Sequence, residues 1–471
     1  MRAVYRVADV RAAEQRLMAT LPPGTLMQRA ATGLARRCAL SLSTVYGSRV
    51  LLLVGSGDNG GDALYAGALL AKRGAQVSAV LTGKAHAEGL ATFKAAGGRV
   101  LEAVPASTDL IVDGLVGIGA TGPLREPAKA LIAQLPKAPV IAVDVPSGVD
   151  VDTGDVPGPA IRADITVTFG CLKPALVVGK AVPYAGQVEL VDIGLEPWIA
   201  GSPALQMADA QDIAEWWPHP GPESDKYTRG VVGLATGSAN YPGAAWLSAA
   251  GALAGPTGLI RYAGRAHELI AEAHPSVVVS ARAADALRVQ AWVCGCGLGT
   301  DAEAQAELRA VLAAPVPVIL DADAITMLVD GSMSGVLRSR DAPTILTPHD
   351  REYTRLAGES PGPDRVAAAL KLAVWTKSTI VLKGHRTVIA SPNGEAWVNP
   401  TGSSALATGG TGDVLAGLMG SVLAAGVGPM RAAVMASYVH GQAGRLAALD
   451  GPVTAVDVAA ALRPVLANLL A

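Results

Sequence analysis

Val50-Leu51-Leu52-Leu53-Val54 is an unbroken apolar run that gives way at once to Gly55-Ser56-Gly57-Asp58-Asn59-Gly60-Gly61-Asp62. A continuous run, rather than an alternating one, is what a central parallel strand buried on both faces requires. The form recurs. Asp109-Leu110-Ile111-Val112-Asp113 leads to the glycine-rich loop Gly117-Ile118-Gly119-Ala120-Thr121-Gly122-Pro123, and Val140-Ile141-Ala142-Val143-Asp144 runs into Pro146-Ser147-Gly148. Parallel strands need crossover connections, usually helices, so this patterning predicts an α/β fold. In a doubly wound sheet the carboxyl ends of such strands converge on one crevice. Residues 9 to 44 read as two helices parted by Leu21-Pro22-Pro23-Gly24.

The second half has its own alternation. Val231 to Thr236, Ala291 to Val293, Val316 to Leu320, Thr344 to Leu346 and Thr379 to Leu382 read as strands, and Ala244 to Ala254 as a helix. Their polar groups again sit at strand ends: Asp321-Ala322-Asp323, Thr347-Pro348-His349 and Lys383-Gly384-His385-Arg386-Thr387. Between the halves, Pro197, Pro203, Pro218, Pro220 and Pro222 break any long element. Two domains are expected, at 1–200 and 201–471, each long enough for its own core.

The chain carries 54 Gly and 31 Pro but only two Phe, which suits an Ala/Val/Leu core with many tight turns. A net charge of −2 marks no nucleic-acid or anionic-membrane partner. Cys38, Cys171, Cys294 and Cys296 are too few and scattered for a disulfide framework, and a reducing cytoplasm is expected. Cys294-Gly295-Cys296 is read as buried thiols, since no CxxC or nearby His completes a metal site. Met1 to Val10 carries Arg2, Arg6 and Asp9 and no apolar core, so it does not read as a signal peptide. No charged residue lies between Arg229 and Arg261, yet Gly233, Gly237, Pro242, Gly243, Gly251, Gly255 and Pro256 punctuate the stretch. It reads as strand, helix and strand of a buried core rather than a membrane span.

Two stretches carry the chemistry. Gly55, Gly57 and Gly60 satisfy G-x-G-x-x-G in strand-to-helix context. No Asp or Glu occurs between Asp62 and Glu88, however, where a ribose-binding acid belongs. The acidic loop suits a cation or a sugar-like group better than a pyrophosphate. Asn59, Asp113 and Ser147 offer hard oxygen ligands to an alkali or alkaline-earth cation, and Asp144 is a candidate acid/base. The other stretch is Thr408-Gly409-Gly410-Thr411-Gly412-Asp413, ahead of an apolar run. Its glycines let amides turn toward one point at a helix start, a ready phosphate site. An acid there is repulsive unless it handles a proton. Asp413 is therefore read as the base for a hydroxyl that attacks a nucleotide phosphate; the bland alternative is a helix cap. There is no G-x-x-x-x-G-K-[ST], so Lys383 and its turn are the candidate charge for the phosphates.

Over residues 10 to 195 the chain resembles the NAD(P)H-hydrate epimerases, through Gly55 to Asp62, Asp144-Val145-Pro146-Ser147-Gly148 and Phe169-Gly170-Cys171-Leu172-Lys173-Pro174. The resemblance implies a Rossmann-like doubly wound sheet with K⁺ held by Asn59, Asp113 and Ser147. It also implies a hydrated nicotinamide nucleotide against Asp58, Asn59, Gly60, Gly61, Asp62, Gly117, Ile118, Gly119, Ala120, Thr121, Gly122, Pro123 and Asp144. Asp58 and Ala63 depart from the usual Asn and Gly.

Residues 205 to 468 resemble the nucleotide-dependent NAD(P)H-hydrate dehydratases of the ribokinase-like family, an α/β/α fold. The motifs are Gly237-Ser238, Tyr241 to Ala245, Leu320 to Asp323, Ile345 to His349, Val381 to Thr387 and Gly409 to Asp413. The resemblance implies that substrate contacts Ala244, Gly297, His349 and Asp413. Lys383, Gly384, His385, Arg386, Thr387 and Gly412 would hold ADP, with Mg²⁺. Departures are Asp225-Lys226-Tyr227, Cys296, and Asp350-Arg351. The expected whole is a bifunctional repair enzyme, an isomerase joined to a lyase. It would act on hydrated NADH and NADPH as a homo-oligomer, with no nucleic-acid or membrane partner. Two rivals are a ribokinase-like metabolite kinase and a first domain that only binds nucleotide.

Overall fold

The computed structural model describes residues 1–119, 122–329 and 331–471. It divides into two compact units, Ala3–Ala204 on the one hand and Leu205–Ala471 together with Met1–Arg2 on the other.

The first unit is built on a parallel sheet in the order Arg99–Leu101, Gln76–Leu81, Arg49–Val54, Leu110–Gly114, Val140–Val143, Ile165–Phe169, Gln187–Val191. The strand Arg49–Val54 lies inside it, Val50 opposite Leu110 and Leu52 opposite Val112. Its continuous apolar run has a direct cause. Val50, Leu52 and Val54 feed one core with Leu34, Leu64 and Phe93, while Leu51 and Leu53 feed a second with Ile111 and Leu131. Residues that alternate sides must all be apolar when both sides are covered. The two expected N-terminal helices are Val7–Met18 and Thr25–Ser41.

Two boundaries differ from expectation. The helix after the first glycines already starts at Asp58, so Asp58, Asn59, Gly60 and Gly61 are its first turn rather than loop. The strand at 140 stops at Val143; Asp144 follows it with φ 66°, in the left-handed region that Asp reaches more easily than most residues.

The sheet of the second unit runs Leu205–Met207, Ala396–Val398, Val388–Ala390, Thr379–Leu382, Thr344–Leu346, Val318–Leu320, Ala291–Cys294, Val231–Ala235, Leu259–Ala263, Val278–Ser280. It is parallel from Thr379–Leu382 to Val278–Ser280 and turns antiparallel at the pairings with Val388–Ala390. The uncharged stretch 230–260 is strand Val231–Ala235, helix Pro242–Ala254 and strand Leu259–Ala263. No helix among the described residues is long and apolar enough to cross a membrane.

Helix Thr411–Ala424 packs on Pro242–Ala254 through two glycines. A Cβ on Gly417 would meet the Ser248 carbonyl at 1.9 Å, and one on Gly251 the Val414 carbonyl at 2.2 Å. Backbone thus lies against backbone, and that close approach fixes where the helix begins.

Candidate active sites

In the first unit, three strand ends meet at a buried oxygen cluster. Asp113 is fully buried. It accepts hydrogen bonds from the Ser147 hydroxyl (2.7 Å) and from the amides of Ser147 (2.8 Å) and Leu115 (3.3 Å). Burial pushes its carboxyl up to about 6, against the pull of the Ser147 hydrogen bonds. Asn59 donates to the Val143 carbonyl at 2.5 Å, and its Oδ1 would lie 2.1 Å from a Cβ on Gly117. Asn59 and Ser147 each lie 3.5 Å from the Val116 carbonyl, and Ser147 bonds Asp113, so the structure brings the three expected ligands together. A buried carboxylate bonded to no ammonium or guanidinium among the described residues, with the Ser147 hydroxyl beside it, fits a monovalent cation.

Asp144 lies deeper than a strand-end cap. Its Oδ1 accepts from Lys173 Nζ (2.5 Å), the Thr168 hydroxyl (2.9 Å) and the Phe169 amide (3.2 Å). Lys173, only 1% exposed, also donates to the Thr168 hydroxyl and the Phe169 carbonyl, each at 2.9 Å. Lys173 lies within the Phe169-to-Pro174 motif, which gives no sign of this role. The signal was the residue type itself: a lysine inside an apolar stretch needs a buried acid.

Asp62 is also buried, and its carboxyl is held well above the usual range by burial first, then by Asp144, Asp58 and Glu14. Asp58 is exposed. A Cβ on Gly60 would strike the Gly55 carbonyl at 2.3 Å, and one on Gly61 the Met27 side chain at 3.1 Å. Ile118 packs against the core on the side of the N-terminal helices. Gly119 faces the Arg11 guanidinium, Gly122 turns with φ 78°, and Pro123 lies against Gly158. Ala120 and Thr121, also expected in this loop, lie outside the described residues.

In the second unit, Gly410 begins the helix Thr411–Ala424 with φ 89°, and no side chain caps it. The capping account of Asp413 therefore fails, and the first turn is left open. Lys383 Nζ bonds Asp321 Oδ1 at 2.7 Å and stands 3.8 Å from Glu352 Oε2. The Thr347 hydroxyl donates to the same Asp321 oxygen at 2.7 Å. Burial opposes ionisation of Asp321, but Lys383 and Thr347 outweigh it and hold the carboxyl below the usual range. Asp413 is pushed the other way, up to about 7, by burial and then by the Asp321 charge, with Lys383 opposing. One buried acid is thus charged and its neighbour poised near neutrality, the pattern of divided acid/base roles.

Cys296 is buried as expected, yet not remote from the chemistry. Its Sγ lies 3.6 Å from Asp321, and Cys296, Asp321 and Asp413 offer ligand atoms within 4.8 Å of one another. Burial holds the thiol well above its ordinary range. A hard ion such as Mg²⁺ prefers carboxylate, water and phosphate oxygens to such a thiol, so only the two acids suit it.

His349 caps the helix Asp350–Ala357. Its Nδ1 accepts from the Arg351 and Glu352 amides, and its Nε2 lies 3.5 Å from Glu352 Oε1. Glu352 thereby links His349 to Lys383. Gly297, φ 58°, would carry a Cβ 2.6 Å from that of Ala244 and 3.0 Å from that of Tyr241. Gly412 lies beside Lys383 and Asp321. Arg365 donates to the Lys383 carbonyl at 2.8 Å, and its guanidinium lies 3.1 Å from where a Cβ on Gly384 would sit. His385 passes its carbonyl close to Gly402, Thr387 is buried, and Arg386 shares the Pro400 carbonyl with Arg445. His440, buried below the Thr411 turn, is held down to about 4 by burial. Asp321 and Glu352 are the groups that sequence reasoning left without a role; their neighbours Asp323 and Arg351 drew no sharper pattern.

Comparison with known proteins follows the same division. The family model described as NAD(P)H-hydrate dehydratase matches residues 232–463, and that described as YjeF-related protein N-terminus matches 23–175. The bifunctional NAD(P)H-hydrate repair enzyme Nnr of Mycobacterium leprae is 47% identical over 461 residues, covering 96% of each chain. Its namesake from Mycobacterium tuberculosis H37Rv is 47% identical over 408 residues, 85% of this chain and 84% of that one. Among solved structures, the ADP/ATP-dependent NAD(P)H-hydrate dehydratase from Bacillus subtilis, co-crystallised with ATP/Mg²⁺, aligns with TM-score 0.50 and 31% identity. It covers 56% of this chain and 99% of that one.

Proposed function

Since this chain belongs to the family of bifunctional NAD(P)H-hydrate repair enzymes, we propose that its two units divide the repair of hydrated NADH and NADPH between them. The unit 205–471 dehydrates one epimer at the expense of ADP, giving AMP and phosphate. The unit 3–204 interconverts the epimers, so that neither accumulates.

The observation that carries the dehydratase assignment is Asp413, uncapped in the first helical turn and beside the Asp321–Lys383 pair. Asp413 takes the proton of the ring hydroxyl as that oxygen attacks the terminal phosphoryl group. The nitrogen lone pair then forms C=N⁺ as phosphate departs, far more readily than hydroxide would, and loss of a proton from the adjacent ring carbon to a base restores the double bond. Lys383 and the amides of the Gly410 turn receive the nucleotide phosphates, with Gly384, His385, Arg386, Thr387 and Gly412 as further contacts of the nucleotide. Mg²⁺ supplies charge neutralisation at the phosphate oxygens. Ala244, Gly297 and His349 bound the substrate.

In the first unit Asn59, Asp113 and Ser147 hold K⁺, which supplies a fixed positive charge at the strand ends. Asp144 handles a proton of the water that leaves or enters at the inverting carbon. Asp58, Asn59, Gly60, Gly61 and Asp62, with the loop 117–123, bind the substrate. The four free cysteines, all buried, agree with a cytoplasmic setting, where we place a homo-oligomer.

The test is incubation with hydrated NADH, Mg²⁺ and either ADP or ATP, following the return of nicotinamide absorbance and the release of inorganic phosphate. A stable phosphorylated product without that return would favour a metabolite kinase instead.

A further inference from the structure

Helix Val7–Met18 brings to the first site two side chains that the chemistry proposed for that site leaves unused. Arg11 and Glu14 are three residues apart and so share a helix face. Arg11 Nη2 lies 2.6 Å from where a Cβ on Gly119 would sit, so this face looks onto Gly119. Glu14 is half-buried and makes no hydrogen bond or ion pair with any described residue. It feels the charges of Lys173, Asp144, Asp58 and Arg11, and in turn acts on Asp62. A half-buried carboxyl group without a partner among the described residues thus shares the helix face that carries Arg11 to Gly119.

Epimer exchange needs more than one such group. Water adds to the enamine double bond of a dihydronicotinamide with its oxygen on the carbon next to nitrogen. Inversion there begins when the nitrogen lone pair forms C=N⁺ and the C–O bond breaks. The departing oxygen takes a proton from an acid and leaves as water. Water then attacks the opposite face, the C=N electrons return to nitrogen, and the surplus proton goes to a base. Protons move on two faces of one ring. Asp144 is pinned by Lys173, Thr168 and the Phe169 amide, and cannot swing between them.

We propose that Glu14 is a second catalytic residue of epimer exchange, working with Asp144 and from a separate element. In one direction Glu14 gives the proton to the leaving hydroxyl and Asp144 takes one from the entering water; in the other the roles reverse. The proposal rests on reading this unit as an epimerase. Burial, with the charges of Asp144 and Asp58 and against those of Lys173 and Arg11, brings the Glu14 carboxyl up to about 7. Both of its protonation states are then available near neutral pH, as a group that gives a proton in one direction and takes it in the other requires.

The experiment uses the full chain and separated hydrate epimers. Glu14→Gln should slow epimer exchange by ~10² or more, with KM little changed and the ionisation near pH 7 gone from the residual rate. Glu14→Asp should recover part of the rate and show a displaced ionisation. The thermal midpoint of the first unit serves as the fold control, since dehydration belongs to the other unit and would not report it. Exchange by Glu14→Gln within a few-fold of wild type, or a loss confined to KM, would overturn the proposal. If Glu14→Gln also lowers the control, Glu14→Asp decides, since an ionisation unmoved by the shorter side chain would overturn it equally. Failure of the wild-type chain to exchange epimers at all would instead remove the epimerase reading beneath it.

Discussion

Lys383 Nζ bonds Asp321 Oδ1 at 2.7 Å, and a Cβ on Gly412 would stand 3.5 Å from the same ammonium. One cation therefore serves a buried acid and the turn where we place the nucleotide. Lys383→Met should weaken nucleotide binding, measured by calorimetry. It should also destabilise the second unit by ~3–5 kcal/mol, as removing one partner of a buried pair does. Lys383→Met combined with Asp321→Asn should regain part of that stability and none of the affinity.

Asp413→Asn is expected to lower the dehydration rate by ~10²–10⁴ while nucleotide affinity persists. Because Asp413 is held up at about 7, it is protonated and idle below that pH. The wild-type rate should rise as pH passes upward through about 7, and the variant's residual rate should lack that rise. Loss of nucleotide binding along with activity would make Asp413 a structural residue.

As a ligand of the proposed K⁺ site, Asp113 would couple the cation to stability. Its carboxyl is raised from 3.8 to about 6, so between those values the folded chain holds a proton that the unfolded chain has shed. Stability contributed by this group therefore falls as pH rises across that window. A cation that takes the proton's place binds best above it. Added KCl should raise the thermal midpoint of the first unit more at about pH 8 than at about pH 5, with matched tetramethylammonium chloride as the ionic-strength control. An equal effect at both pH values would count against Asp113 as a ligand.

Gly117→Ala should remove that potassium response. The new methyl would fall 2.1 Å from Asn59 Oδ1, far inside contact distance, so Asn59 must leave the Val143 carbonyl. Gly122→Ala, in the same loop but with nothing within 4 Å of its Cβ, should keep the response and show at most the backbone strain of its positive φ. Scanning calorimetry of both proteins with and without KCl checks this.

Much of the architecture was legible because each strand's pattern is local. The run at 50–54 is apolar throughout since its residues feed two cores, and the uncharged stretch 230–260 resolves at its glycines and prolines. Asp413, Lys383 and Asp144 stood out as charged residues at strand or helix ends. What stayed hidden was pairing over long separations. Lys173 and Asp144 are 29 residues apart, and Lys383 and Asp321 62 apart; nothing local joins them. Glu14 was hidden differently, since an acid on an amphipathic helix is ordinarily solvated. The thiol of Cys296 was read as inert packing because only the fold carries it to Asp413.

The positive φ of Asp144 limits what evolution or mutagenesis can place there. Most L-residues lose about 1–2 kcal/mol in that conformation, while Asn tolerates it and Gly adopts it freely. An alanine substitution therefore changes backbone and charge together, and its kinetics would blend two causes. Only the amide analogue isolates the ionisable oxygen while keeping the backbone it sits on.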